Sequence, residues 1–288
     1  MNKASTQEAV TIRGGQGFNI PALSTGSVVL DYLIGGTSQC PGIPRGRITE
    51  FYGEAQTGKT TIALETAAKC LSVEGTACYL DCANQFPAKY AQAIGVDTSS
   101  SKWYLYMPST WEEVTTLITT SVAEGADLIV VDTPPQFGEL SILTEILHAS
   151  GTALVFLNTM CRLPNSNRLA YDAGSLKYYA SLRIKLSRLG GEGSPYRLLE
   201  AECVKNMVSF HQGHHAPFVI REGDGIDNVR SVIDIAQTRG LLVEGSDGLV
   251  MDVVGRTFES KEGLCVFFEE HPDQFAALVE RMTTTENT

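Results

Sequence analysis

The segment GEAQTGKTT at residues 53–61 constrains the fold of this chain more than any other feature. It comprises Gly53, Glu54, Ala55, Gln56, Thr57, Gly58, Lys59, Thr60 and Thr61. The pattern GxxxxGK[ST] forms a loop between a β-strand and an α-helix, because its glycines let backbone N–H groups curl around phosphates. RITEFYG at 47–53 reads as that strand and residues 60–71 as that helix. We therefore expect a phosphate-binding loop (P-loop) in which Lys59 contacts the β- and γ-phosphates and Thr60 binds Mg²⁺.

Apolar runs of strand length alternate with helix-length segments around and after this loop. ACYLDC, ADLIVVD and TALVFLN read as strands, and residues 111–125 and 139–149 have a helical period. This alternation predicts an α/β fold, with a mostly parallel, twisted sheet flanked by helices. Asp132 ends the strand LIVVD and is expected to hold the Mg²⁺ ion through water. Lys59 and Asp132 are thus the catalytic candidates, and Thr60 and Asp132 the metal candidates.

The pattern changes after residue 178. YASLRIKLSRLG and YRLLEAECVKN flank the turn-forming insert GEGSP, which predicts an antiparallel hairpin that extends the sheet. From residue 226, short strands and helical stretches predict a small, acidic α+β domain. The expected division is a short N-terminal segment (1–23), a nucleotide-binding core (24–225) and the C-terminal domain (226–288).

Charge and composition exclude some classes of function. The net charge of −11 argues against a general nucleic-acid coat. However, residues 158–221 hold 9 basic and 4 acidic side chains, whereas residues 222–288 hold 5 basic and 14 acidic ones. This asymmetry has two open interpretations: ordinary variation, or a basic working surface with an acidic appendix that competes with polyanions. Scattered cysteines, the lack of a long apolar run and the lack of a signal-peptide pattern predict a cytoplasmic protein without a membrane partner.

Short blocks spread over residues 23–283 resemble the bacterial RecA recombinase family, in the same order along the chain. Besides the P-loop, they are STGS (24–27), LD (30–31), GIPRGR (42–47), YLD (79–81), YA (90–91), GVD (95–97), IVVD (129–132), FLN (156–158), LKYYASLR (176–183), VKN (204–206) and GDGI (223–226). The resemblance implies a RecA-like P-loop NTPase core, ATP bound between subunits, and assembly on single-stranded DNA for homologous pairing. It also implies that Tyr90 stacks on the adenine and that Lys205 reaches the nucleotide of the adjacent protomer.

The resemblance further implies a DNA-binding loop between residues 158 and 177. This stretch carries Arg162, Arg168 and Gly174, and Lys177 stands at its end. Cations contact phosphates without reading sequence, and a flexible glycine suits a loop that follows the DNA backbone. The alternative interpretation is an ordinary surface loop.

Several positions depart from the family pattern. The general-base glutamate is replaced by Ala83, the γ-phosphate-sensing glutamine by Thr159, and the second trans-acting lysine by Met207. The nearby polar candidates for a substitute base are Asp81, Asn84, Gln85 and Glu139. The stretch from 132 to 156 is too short for the family's first DNA-binding loop, and the docking N-terminal helix is expected to be absent or trimmed. Because alanine cannot deprotonate water, we expect ATP to be bound strongly and hydrolysed weakly or not at all.

These observations predict an ATP- and Mg²⁺-dependent RecA-like recombinase of the compact kind that phages encode. It would act in DNA recombination and repair, bind single-stranded DNA and assemble into a helical filament or ring in the cytoplasm of a bacterial host. A second reading is a non-hydrolysing paralogue that uses ATP only for assembly or mediation. A third is a regulator with the same fold and no role on DNA.

Overall fold

The computed structural model describes residues 20–36, 40–134, 138–162, 169–170, 174–190, 193–245, 248–251 and 256–284. The helices in these ranges are α1 (Val28–Gly35), α2 (Lys59–Ser72), α3 (Ala88–Ala93), α4 (Trp111–Ala123), α5 (Ser141–Ser150), α6 (Leu176–Tyr179), α7 (Asn228–Thr238), α8 (Lys261–Glu270) and α9 (Pro272–Thr284). None of these described helices has the length and apolar character that a membrane crossing requires.

The strands group into four sheets among the described residues. They are β1 (Ala22–Leu23), β2 (Ile43–Pro44), β3 (Ile48–Gly53), β4 (Ala77–Asp81), β5 (Trp103–Tyr106), β6 (Leu128–Asp132), β7 (Ala153–Thr159), β8 (Cys161–Arg162), β9 (Leu169–Ala170), β10 (Leu182–Gly190), β11 (Tyr196–Asn206), β12 (His215–Arg221), β13 (Gly225–Ile226), β14 (Leu242–Gly245), β15 (Gly248–Met251) and β16 (Arg256–Phe258).

The main sheet has the strand order β13-β12-β11-β10-β3-β7-β6-β4-β5. The strands from β10 to β5 run parallel, whereas β11, β12 and β13 extend the sheet with antiparallel pairs. Both the parallel α/β sheet and its antiparallel hairpin were predicted from the sequence, and both are confirmed. The carboxyl ends of β3, β4, β6 and β7 therefore lie along one edge, where the P-loop begins.

The central strands are buried on both faces, which explains their nearly continuous apolar sequences. Ile62 and Leu64 of α2 pack in one apolar cluster with residues such as Phe51 and Val155. Val114 of α4 and Leu147 of α5 pack in a second cluster with residues such as Ile48 and Phe156. Helices thus cover both faces of the parallel part of the sheet.

The C-terminal stretch predicted as a separate domain shares apolar packing with the rest of the chain. Helix α7 begins at the cap Asp227, whose side chain accepts from the Arg230 N–H, and the helix packs against β12. Val232, Leu264 and Phe268 are buried in the same apolar cluster as the residues packed on α2. The division into residues 1–23, 24–225 and 226–288 stays a prediction.

Candidate nucleotide-binding site

The P-loop connects β3 to α2, as its sequence predicts. Gln56 and Gly58 have positive φ angles of 62° and 86°, which turn the chain sharply before the helix. A side chain at position 58 would be strained by this φ angle, and its Cβ, at 2.7 Å from Cδ1 of Ile220, would push that side chain aside. The Thr57 hydroxyl closes the turn by donating to the Glu54 carbonyl at 2.9 Å. Ala55 and Gln56 are exposed at the tip of the loop.

The Lys59 ammonium lies against the start of the loop. It donates to the carbonyls of Gly53 at 3.0 Å and Glu54 at 2.7 Å, and the residue is 8% exposed. Burial lowers the pKa of Lys59, and the nearby Asp132 carboxylate opposes that shift. A buried cation beside a loop of backbone donors is suited to an anionic ligand. Because water screens a buried charge poorly, the attraction between the Lys59 ammonium and a phosphate is strong.

Asp132 is surrounded by hydroxyl groups. Its Oδ2 accepts from Thr60 Oγ1 at 3.2 Å and from the Tyr79 phenol at 2.5 Å, and its Oδ1 accepts from Thr133 Oγ1 at 3.1 Å. Asp81 and Asp132 are register partners at the ends of β4 and β6, so the parallel sheet places both carboxylates at the P-loop edge. The sequence prediction that Thr60 and Asp132 lie together agrees with this geometry.

These residues fit a magnesium ion bound to a nucleotide. Mg²⁺ prefers hydroxyl, carboxylate and water oxygens and is held in such sites by few protein ligands together with substrate phosphates. Thr60 and Asp132 supply oxygens of this type within hydrogen-bonding distance of each other. The ion would screen phosphate charge, while Lys59 and the P-loop would bind the phosphates themselves.

Tyr90, the predicted adenine-stacking residue, contacts the helix that follows the P-loop. Its hydroxyl lies 2.9 Å from Thr61 Oγ1. Burial raises the pKa of the Tyr90 phenol, and both the Thr61 hydrogen bond and the positive charge of Arg197 oppose that shift. The ring therefore stands beside the second residue after Lys59, where a nucleotide would extend beyond its phosphates.

Comparisons with known proteins identify the family. Residues 1–137 match the RecA N-terminal domain. The mitochondrial DNA repair protein recA homolog 3 of Arabidopsis thaliana is 27% identical over an alignment of 299 residues, gaps included. This alignment covers 92% of this chain and 67% of that protein. Protein RecA of Helicobacter pylori (strain P12) is 31% identical over 249 residues, covering 75% of this chain and 70% of that protein. This chain belongs to the RecA family.

The fold agrees with that assignment. The crystal structure of the RadB recombinase superposes with a TM-score of 0.54 at 23% sequence identity, covering 71% of this chain and 98% of that one. At this level of identity the likeness concerns the fold alone. Protein RecA of Thioalkalivibrio sulfidiphilus is a further relative, 29% identical over 91% of this chain and 83% of its own length.

The three predicted departures from the RecA pattern occupy different places. Ala83 is exposed in the turn after β4, and that turn is held by Asp81, whose Oδ2 accepts from the Phe86 N–H at 2.6 Å. Thr159 ends β7 as the register partner of Gly53, the first residue of the P-loop. Met207 follows β11 and is 69% exposed. Ala83 and Thr159 thus lie at the P-loop edge of the RecA core, whereas Met207 lies on the surface.

The structure brings two of the predicted basic residues together. The Lys205 ammonium donates to the carbonyls of Lys177 at 3.2 Å and Tyr178 at 3.0 Å, at the end of α6. In the sheet register, Lys205 of β11 lies opposite Arg183 of β10. Arg183 in turn lies opposite Glu50, near the amino end of β3. Lys205 therefore lies toward the sheet edge opposite its own P-loop.

The other DNA-binding candidates are only partly described. Gly174 is exposed before α6 and has a φ angle of 48°. The backbone of Arg162 belongs to β8, which pairs with β9, but its side chain lies outside the described residues. Arg168 also lies outside them. The roles of all these residues remain predictions.

Sequence reasoning missed Tyr79 as a member of the site. Tyr79 is the register partner of Val130, and its long side chain reaches Asp132, the next residue on that face of β6. The available signal was the period of two along β4, which places Tyr79 and Asp81 on the same face. Recognising it required the alignment of β4 with β6, which no local pattern gives.

Proposed function

We propose that this RecA-family protein binds ATP and Mg²⁺ in the site formed by the P-loop, Thr60 and Asp132. The observation that carries the proposal is the hydrogen bond between Thr60 and Asp132 beside a buried Lys59 ammonium. The hydroxyl and carboxylate supply oxygen ligands for the metal, and the ammonium supplies charge for the β- and γ-phosphates. Tyr90 would stack on the adenine.

Hydrolysis of the bound ATP would be slow. An attacking water needs a group that orients it and accepts its proton, and the methyl group of Ala83 can do neither. Thr159 is short and neutral at the position of the phosphate-sensing glutamine, and Met207 has no charge to offer a neighbouring subunit. Loss of a general base alone lowers turnover by about 10² to 10⁴.

The bound ATP would support assembly on single-stranded DNA in recombination. The stretch from Asn158 to Lys177 leads from the P-loop edge to α6, and it carries the cations Arg162, Arg168 and Lys177. Such a loop suits contacts with the DNA backbone. Lys205 lies toward the opposite edge from its own P-loop, and this position suits contact with a nucleotide held by an adjacent protomer. The ATP-bound protein would then assemble on DNA into a filament or a ring in the cytoplasm.

A second function is favoured by the combined loss of the base and the sensor. In this alternative the protein is a non-hydrolysing RecA paralogue that stays bound to ATP and acts as an assembly or mediator protein. A regulator without a DNA-binding role is the remaining option, and the basic residues at Lys177 and Lys205 argue against it.

The nucleotide proposal is tested by titrating a fluorescent ATP analogue with Mg²⁺ present. Lys59→Met keeps the length and packing of the side chain but removes its charge, so affinity should fall about 100-fold. Lys185→Met is the matched control, since Lys185 lies on β10 and pairs with Glu202 at 3.2 Å. Equal affinity of the wild type and Lys59→Met would contradict the proposed site.

The recombinase and paralogue readings differ in turnover. Steady-state ATP hydrolysis is measured with and without single-stranded DNA, and the same mixtures are viewed by electron microscopy. DNA-stimulated turnover with filaments supports the recombinase, whereas filaments without turnover support the paralogue. A protein that binds no DNA at low salt would eliminate both.

The DNA surface is tested separately with Lys177→Ala. This variant should flatten the slope of log affinity against log salt concentration by about 0.7, the value for one lost phosphate contact on a single strand. Lys102→Ala is the control, because Lys102 is a partly exposed cation paired with Glu74 before β5. Identical slopes for the wild type and Lys177→Ala would remove Lys177 from the DNA surface.

A further inference from the structure

A cavity of about 540 Å³ opens beside the tip of the P-loop. Gln56 lines it from the loop, Arg188 and Arg197 line it from the hairpin of β10 and β11, and Glu222 lines it from the end of β12. The turn at residues 193–195 completes the wall. Arg188 is exposed at the rim, whereas Arg197 is partly buried.

Arg197 has a buried donor that is not used within the described residues. Its Nε is shielded from solvent and has no hydrogen-bond partner among them. An unsatisfied buried donor destabilises the folded state, and more so when the group is charged. A ligand that displaces the groups covering Nε and presents an acceptor to it would recover that cost.

Strand register places Arg197 close to the P-loop. Arg197 pairs with Ile220, and Cδ1 of Ile220 would lie 2.7 Å from a Cβ at Gly58. Leu199, two residues further along the same face of β11, would approach that Cβ at 3.0 Å. Arg197 is also close enough to Tyr90 to act on its phenol electrostatically. Arg197 therefore lies near both the P-loop and the predicted adenine-stacking ring.

We propose that Arg197 is a nucleotide-binding residue whose Nε donates to an acceptor on the ribose or base of the bound nucleotide. This inference rests on the proposed nucleotide site. The phosphates themselves are assigned to the P-loop and Lys59. Tyr90, on the side of the site near Arg197, contacts Thr61, two residues beyond Lys59. The Arg197 guanidinium would therefore contact the ribose or the base of the ligand. Because a guanidinium donates hydrogen bonds and accepts none, it selects acceptor groups.

Two ligands separate a ribose-base contact from a phosphate contact. Binding of ATP and of inorganic tripolyphosphate is measured with Mg²⁺ for the wild type, Arg197→Met and Arg188→Met. Arg197→Met should weaken ATP binding about 10-fold or more and leave tripolyphosphate binding unchanged. Arg188→Met removes the same charge from the rim of the same cavity, where solvent screens it, and should alter neither ligand by more than about 3-fold.

The possible results are distinct. Equal losses for ATP and tripolyphosphate with Arg197→Met, or no loss for either ligand, would overturn the inference while leaving the proposed site intact. A wild-type protein that binds neither ligand would overturn the proposed function and this inference with it. Arg197→Met removes no described side-chain hydrogen bond, and thermal unfolding checks its fold. Arg197→Lys is the second variant: it keeps the charge, lacks Nε, and should show the same selective loss for ATP.

Discussion

Arg183 donates through Nε to Oε2 of Glu50 at 2.7 Å, and this carboxylate, carried by the strand β3 that leads into the P-loop, is fully buried. Arg183 is 14% exposed and lies over the Tyr52 ring. Asn158, near the end of β7, donates from Nδ2 to the other carboxylate oxygen at 3.3 Å. The Arg183–Glu50 pair therefore joins β10 to β3, and Asn158 joins Glu50 to β7. β3 lies two strands away from β6, which carries Asp132. Asn158 also stands at the start of the predicted DNA-binding loop.

Removing one partner of this pair should destabilise the fold. Glu50→Gln keeps the side-chain shape but removes the buried charge that faces the Arg183 guanidinium, so the free energy of unfolding should fall by about 3 kcal/mol. Glu202→Gln is the matched control on β11, because its pair with Lys185 is more exposed and should contribute less than about 1 kcal/mol. Urea unfolding measures both, and equal effects would contradict the assigned importance of burial.

Tyr79→Phe should raise the Mg²⁺ requirement for nucleotide binding. The variant keeps the ring contact with Phe86, whose centroid lies 5.2 Å away, but loses the phenol that fixes Asp132. Loss of such a supporting contact weakens metal affinity about 10-fold or more. The measurement is the Mg²⁺ concentration at half-maximal binding of a fluorescent ATP analogue. Binding in EDTA should be unchanged, as should all values for Tyr104→Phe on the neighbouring strand β5.

Ala83→Glu should increase ATP turnover. Ala83 is exposed in a turn whose positive φ angle belongs to Asn84, so a longer side chain at 83 is tolerated. A carboxylate at the P-loop edge would accept a proton from the attacking water, and a gain of about 10-fold or more is expected. Ala83→Gln adds a side chain of the same size without the carboxylate and serves as the control. Unchanged hydrolysis by Ala83→Glu would show that this loss alone does not limit turnover.

Asp31 should make stability depend on pH between about 4 and 6. Burial raises the pKa of Asp31 from 3.8 to about 6, against the opposing hydrogen bonds of Ser24 and Thr25. Because the folded state binds this proton more tightly than the unfolded chain, the contribution of Asp31 to stability is complete below pH 3.8. It is lost as the pH rises through about 6, by about 3 kcal/mol.

This pH effect is isolated by difference. The free energies of unfolding of the wild type and Asp31→Asn are compared at a series of pH values from 4 to 8. The advantage of the wild type over Asp31→Asn should shrink as the pH rises. A difference that stays constant, or grows with pH, would contradict the raised pKa of Asp31.

Local patterns in the sequence were sufficient for the P-loop and the main elements. The glycine and lysine spacing of residues 53–61 predicts a strand-loop-helix unit, and the apolar runs predict parallel strands buried on both faces. The hairpin of β10 and β11 followed from two long strands around a glycine-rich turn. These inferences succeeded because turn geometry and hydrophobic period act over a few neighbouring residues.

Other features depend on which strands become neighbours. Nothing around Glu50 indicates Arg183, 133 residues later, and nothing around Tyr79 indicates that Asp132 accepts its hydrogen bond. Arg197 has a local sequence typical of a solvated hairpin, yet its register with Ile220 brings it close to Gly58. Each of these relationships requires a particular strand order and register.

The sequence by itself determined the RecA family resemblance, the α/β fold and the position of the phosphate-binding loop, because those depend on residue identity and spacing along the chain. Only the tertiary structure decided how Asp132 is held, where Glu50 finds its counter-charge and which arginine lies near the P-loop. The reason is physical: burial in one sheet brings together polar groups that are remote in sequence, and each must find its partner across strands rather than along them.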